Sequence, residues 1–271
     1  MKSRLEKLRI VFALDAHVKA SQVLGDRTFD LLAADNPIDI PAVFHAIKGV
    51  LDQFETRPKF QTYDGKPITE KRVEERIKKS GKWIPLVEIG GISVLANNLP
   101  ARRQSFIIME EKSLGAASSW DQWVSPFLEW PNFVQAWVED SEYNHWQNAS
   151  DPNEYKVVGR DMSGLKMKSN DLPPPLQQEI VDTSQNPGRW EFRQGYIEAI
   201  GSPMWIGDNL WRAIGENREC ELRALNWLHL TEPQSGILRL ESDLPFDGET
   251  SASEQNALRA AIYGSRQQID G

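Results

Sequence analysis

Apolar residues in this chain recur at two spacings, and the change from one to the other restricts the fold more than any other feature. Val43, Phe44, Ile47, Val50, Leu51 and Phe54 fall on one face at the helical period, the mark of a helix that buries one side. Asp39 offers an N-cap, and Pro41 fits the first turn. Arg57-Pro58 marks the stop, because the residue before proline is pushed out of helical backbone. Elsewhere the apolar residues come in short runs of strand length: 8–14, 86–96, 105–112, 222–230 and 236–241. Trp190, Phe192 and Tyr196 alternate with Glu191 and Arg193, as in a half-buried strand. Helical period dominates early and strand period late. That order predicts an α+β fold, mostly antiparallel sheet with flanking helices.

The remaining stretches fill in the organisation. Residues 21–34 read as a helix weakened by Gly25. Residues 69–79 read as a surface helix. Its apolar stripe is only Val73 and Ile77, and Glu74–Lys78 and Glu75–Lys79 are one-turn ion pairs in the favourable order. Asn97-Asn-Leu-Pro100 is loop chemistry between two strands. Residues 133–138 fit a turn or two of helix. Ser251 and Glu254 have capping-box spacing, Leu258, Ala261 and Ile262 form a stripe, and Gly264 is a stop, so 251–263 reads as a closing helix. Pro173-Pro-Pro175 interrupts regular structure and reads as a connection between two loosely defined lobes. The expected division is a helix-rich lobe over 1–115 ending in a strand pair, a Trp/Pro-rich connecting segment over 116–175, and a strand meander with the closing helix over 176–271.

Charge narrows the function classes. The chain has 31 basic and 39 acidic residues, a net charge of −8. Residues 1–82 carry 16 basic and 12 acidic side chains, and 83–271 carry 15 and 27. An acidic body repels nucleic acid phosphates and attracts basic proteins. Cys220 is the one cysteine, so no internal disulfide forms; Glu219 and Glu221 beside it disfavour a thiolate. No apolar run reaches the ~18 residues of a membrane span. Ile10-Val-Phe-Ala-Leu14 is too short for a secretory signal, and the cytoplasm is the expected location. Of ten tryptophans, five lie between Trp120 and Trp146. Most are expected to fill the core.

Catalytic signatures are sparse. The sequence has no nucleophile elbow, P-loop or dinucleotide fingerprint. His17, His45, His145 and His229 are far apart, no Cys/His cluster exists, and no metal or cofactor is expected. His229 reads as half-buried in a strand. One arrangement of acids and a lysine fits a metal-dependent nuclease: Glu88 on one strand, with Glu110 and Lys112 on one face of the next. The same acid-x-Lys spacing recurs at Asp64-Gly65-Lys66 and Glu154-Tyr155-Lys156. A nuclease or other hydrolase using Glu88, Glu110 and Lys112 is therefore one alternative, and a non-enzymatic adaptor is another. A further cluster interleaves acids with aromatics: Trp137, Glu139, Asp140, Glu142 and Tyr143, with Trp146 nearby. That mixture suits a contact site for a basic protein partner. Its other reading is a solvated loop over a core tryptophan.

A resemblance sharpens the choice. Ser202-Pro-Met-Trp-Ile-Gly207 followed by Trp211 resembles a pattern of the immunity proteins of bacterial polymorphic-toxin and type VI secretion systems. Gly236-Ile-Leu-Arg-Leu240 is similar to that family's late strand, Leu258-Arg259 with Gly264 to its closing helix, and Glu88-Ile-Gly-Gly-Ile-Ser93 to its central strand. The stretch between Trp120 and Trp146 departs from the family's pattern. The resemblance implies a cytoplasmic, non-catalytic protein that binds and neutralises a cognate toxin, a nuclease of the restriction-endonuclease-like class. Inhibition would be stoichiometric, without direct nucleic acid binding. Within the motif, Gly207 is expected at a tight turn of positive φ, and Trp205 and Trp211 in the core.

Overall fold

The computed structural model describes residues 4–24, 27–53, 59–62, 64–82 and 87–264. Strand β1 (Glu6–Ala13) alternates Leu8, Ile10 and Phe12 with Lys7, Arg9 and Val11. β2 (Ala16–Leu24) and β3 (Arg27–Ala34) form an antiparallel hairpin where a helix over 21–34 was expected. In sequence, Gly25-Asp26 is a two-residue hairpin signal, and β-branched Val23 and Thr28 suit strands. Helix α1 (Ile40–Leu51) buries Ile40, Val43, Phe44, Ile47, Val50 and Leu51, with proline in its first turn. Asp39 stands at the N-cap but makes no side-chain capping bond. Phe54 and the Arg57-Pro58 stop lie outside the described residues. After β4 (Phe60–Gln61), α2 (Glu70–Ser80) buries only Val73 and Ile77. Thr69 caps it, accepting from the Arg72 amide at 3.3 Å. Lys78 meets Glu74 at 2.8 Å, and Glu75 faces Lys71 at 3.9 Å instead of Lys79.

The single strand expected over 86–96 is a hairpin, β5 (Val87–Ile89) and β6 (Ile92–Leu99). It folds at Gly90 and Gly91, which take φ values of 60° and 85°, a region that glycine enters without steric cost. β6 runs through Asn97 and Asn98, so the turn before β7 (Gln104–Glu111) falls at Pro100–Arg102. Then come α3 (Trp120–Leu128), β8 (Phe133–Asp140), α4 (Ser141–Asn148) and α5 (Pro152–Val157). Residues 133–138 are thus strand, not helix. β9 (Met167–Ser169) and β10 (Glu179–Val181) pair with each other, so Pro173-Pro-Pro175 is the end of a hairpin, not a bridge between lobes. β11 (Glu191–Phe192) and β12 (Ile197–Glu198) form another short pair. β13 (Met204–Gly207), α6 (Asp208–Ile214), α7 (Glu219–Arg223), β14 (Leu228–Gln234), β15 (Ile237–Ser242) and α8 (Ala252–Tyr263) complete the order. The strand expected over 222–230 begins only at Leu228; Leu222 enters the core from α7. α8 buries Leu258, Ala261 and Ile262 and stops at Gly264. The capping box does not form. Ser251 Oγ donates to the Gly248 carbonyl at 3.2 Å and accepts from Gln255 at 3.0 Å.

One nine-stranded antiparallel sheet, ordered β14-β15-β13-β8-β1-β7-β6-β5-β4, takes strands from all three stretches of the chain. The α+β class read from the sequence is the observed one. Alternation divides the core between the two faces of the sheet. Leu8, Ile10 and Phe12 join α1, α2 and α3 in one cluster that includes Trp120, Trp123 and Phe127. Val11, Trp137, Met204 and Ile206 join α6, α7 and α8 in the other, with Trp211 and Ile262. Strands β8 and β13 bury both faces, and every residue of β13 is buried. Gly207 has φ −96°, not the positive value expected. Its role is close approach: a Cβ there would sit 2.8 Å from the Phe133 ring and 3.0 Å from the Phe133 carbonyl oxygen. Trp205 and Trp211 are core residues, as read.

Candidate functional site

Cross-strand register carries one polar row over the sheet. Glu88 faces Ser93, Ser93 faces Glu110, Glu110 faces Lys7, and Lys7 faces Glu139. At the Glu139 end the chain leaves β8 and turns into α4. Asp140 makes that turn, its carboxylate accepting the Tyr143 amide at 2.7 Å as the helix N-cap. The turn raises α4 beside the polar row. Between them lies a cleft of about 1170 Å³, bounded by the start of β1, the end of β7, α4 and the 247–248 loop.

Several charges in this cleft are engaged within the chain. Glu110 sits between Lys7 at 3.2 Å and Lys112 at 2.6 Å. Partial burial works to raise its carboxyl, but the Lys112 hydrogen bond and the charge of Lys7 prevail and hold it below the ordinary glutamate range. Arg4 reaches Asp247 at 2.6 Å and Glu6 at 3.4 Å, joining the start of β1 to the 247–248 loop. His145 meets Glu154 at 3.1 Å. The Arg160 guanidinium lies 4.5 Å from the centroid of the Trp146 ring, a cation–π contact on the wall. Tyr143 lines the cleft, and its hydroxyl exchanges hydrogen bonds with Gln255 of α8.

The residues read from the sequence divide sharply. Asp140, Glu142 and Tyr143 line the cleft. Trp137 and Glu139 do not reach the surface. Trp137 is fully buried, Glu139 is 5% exposed, and the indole donates to the Glu139 carboxylate at 2.9 Å. Arg9 completes that cluster with a 2.8 Å bond to Glu139. Register puts Glu139 on the same sheet face as Lys7 and Glu110, but Trp137 and Glu139 lie where that face is covered, Trp137 in the core cluster with Tyr196 and Ile197, so neither opens onto the cleft. Glu110 and Lys112 also line the cleft, so the two separate sequence clusters meet there. Glu88 shares their row but sits two strands from Glu110, about 10 Å at ordinary strand spacing. Arg4, Lys7, Arg160 and Asp247 were missed, since nothing local in the sequence marks residues that only the tertiary fold gathers. His229, read as half-buried, is exposed and pairs with Asp243 at 2.6 Å. Among the described residues, no helix is long and apolar enough to cross a membrane. Comparison with protein families, curated proteins and solved structures gives no match.

Proposed function

We propose that this chain is an immunity protein that binds a cognate secreted bacterial toxin, a nuclease effector of type VI secretion, and neutralises it by covering the toxin's working surface. One observation carries the reading: the cleft is lined by charged side chains, several of them engaged within the chain, mixed with Tyr143 and Trp146. Glu110 sits between two lysines, which lower its carboxyl and weaken it as a proton acceptor. A protein partner gains affinity from such a surface by exchanging and extending its ion pairs around aromatic anchors. The residues that carry the family resemblance supply the frame. Met204-Trp-Ile-Gly207 is the buried strand next to β8, and β8 ends at Asp140 on the cleft. The acidic body suits a partner whose groove is basic because its substrate is a polyanion.

The test is growth rescue. A candidate toxin, sought in the gene beside this one, is expressed in a sensitive bacterium with and without this chain. Rescue is expected, with a one-to-one complex stable to size-exclusion chromatography. No rescue from an active toxin by a folded chain overturns the proposal.

A further inference from the structure

We infer that the end of the β9–β10 hairpin, Leu172-Pro173-Pro174-Pro175-Leu176, is a preformed insertion loop that docks into an apolar, basic-rimmed pocket of the neutralised partner; this rests on the proposal above. The loop is far longer than its connection requires. Two residues suffice to join antiparallel strands, yet nine separate Ser169 from Glu179. Residues 171–179 are all exposed, with Leu172 at 49% and Leu176 at 65%. Single exposed leucines are ordinary surface. Two leucines bracketing three prolines make a continuous apolar tip.

The tip is held in one shape from within. Asn170 Oδ1 accepts the amides of Leu172 at 3.2 Å and Gln178 at 3.1 Å, and its Nδ2 donates to the Leu176 carbonyl at 2.9 Å. The Leu176 amide closes onto the Pro173 carbonyl at 2.9 Å. Proline fixes φ at three successive residues. An apolar loop already ordered loses little entropy on docking, so more of its burial appears as affinity. Its root meets the cleft. Val181 of β10 is buried with Ala149 and Tyr155, and Trp146 of the cleft wall packs against that cluster. Charge fixes the partner's chemistry. Asp171 and Glu179 flank the tip, and residues 170–179 contain no base. The receiving pocket is therefore apolar inside and basic at the rim, as in a groove built for an anionic substrate.

The experiment titrates the candidate toxin that passes the growth-rescue test with the full chain and with Leu172→Asp/Leu176→Asp, by calorimetry. The tip is exposed, so the melting temperature should not change; Leu172→Ser/Leu176→Ser provides a milder pair if it does. The expected result is a loss of affinity of roughly 30-fold or more, the size of an interface hot spot. Asn170→Ala, which frees the tip but keeps both leucines, should cost less. Hydrogen exchange of the complex should show new protection at Leu172, Leu176 and Gln177. Unchanged affinity with an unprotected tip overturns the insertion and leaves the immunity reading standing. A wild-type chain that does not bind an active toxin overturns both.

Discussion

Glu110 and Glu111 are neighbours in sequence and opposites in role. Alternation on β7 sends Glu110 into the cleft and Glu111 into the core, where it is completely buried. The Glu111 carboxylate accepts the Glu6 amide at 3.1 Å and the Ala117 amide at 3.1 Å. One side chain thus satisfies two backbone donors, one at the start of β1 and one just before α3. The sequence reading weighed the acid-x-Lys tripeptide for chemistry and passed over its middle residue. That residue is the one on which stability rests. Removing a charged acceptor strands both donors away from water, and each stranded group costs about 1–3 kcal/mol. Glu111→Ala should therefore lose about 3 kcal/mol, seen as a lower urea midpoint at unchanged slope. Glu111→Gln keeps an acceptor and should lose less. A Glu111→Ala midpoint equal to wild type would refute this role.

Elements with one wet face were legible, and those buried on both faces were not. The stripes of α2 and α8, and that of α1 as far as Leu51, appear in the structure as read, because solvent on one side forces a period. β8 is sheathed on both faces, so Phe-Val-Gln-Ala-Trp-Val-Glu-Asp shows no alternation, and a short apolar run of that kind does not separate helix from strand. Trp137 and Glu139 were grouped with Asp140 because acids and aromatics interleave there in sequence, and burial on β8 separates them from it. Asp140 now has an element-level duty as the cap of α4. Asp140→Ala should cost about 1 kcal/mol in thermal or urea unfolding, whereas Asp140→Asn, which keeps an acceptor, should lose little. Equal losses in the two variants would remove the cap from the account. The β9–β10 hairpin has its own electrostatic lock. Asp182 accepts the Ser184 amide at 3.0 Å and meets Lys168 at 3.0 Å. The Ser184 amide, the Ser184 hydroxyl and the Lys168 ammonium, in that order, bring its carboxyl from the ordinary 3.8 down to about 2. Because the folded value is the depressed one, the contribution is present above about pH 4. It is lost as pH falls toward the folded value. An NMR titration of the Asp182 carboxyl should give a midpoint clearly below 3.8; a midpoint at the ordinary value would show that the lock does not form.

At the scale of the whole molecule, the cleft is a product of topology. Its floor comes from β1 and β7, its wall from α4 and Arg160, and its mouth from Arg4 and Asp247, which lie 243 positions apart. Residues so distant leave no local signature, and only the Asp140–Tyr143 portion and the Glu110–Lys112 pair could be read from the chain, as two unconnected clusters. The charges of the molecule add without regard to such distances. A chain with 39 acids against 31 bases carries an excess of negative charge into any encounter. Against a basic partner that excess acts before contact, drawing the two together over a Debye length of about 10 Å at 0.1 M salt. On the proposed binding mode, the cleft's ion pairs and the apolar tip would act after contact and at short range. The two regimes therefore separate in kinetics. Raising salt from about 0.05 to 0.5 M should lower the association rate with the toxin roughly tenfold or more, the size of electrostatic steering. The dissociation rate should change much less. Stopped-flow mixing measures the first and competition with excess unlabelled chain the second. An association rate indifferent to salt would mean that the acidic body plays no part in finding the partner, and binding would then rest on the cleft and tip alone.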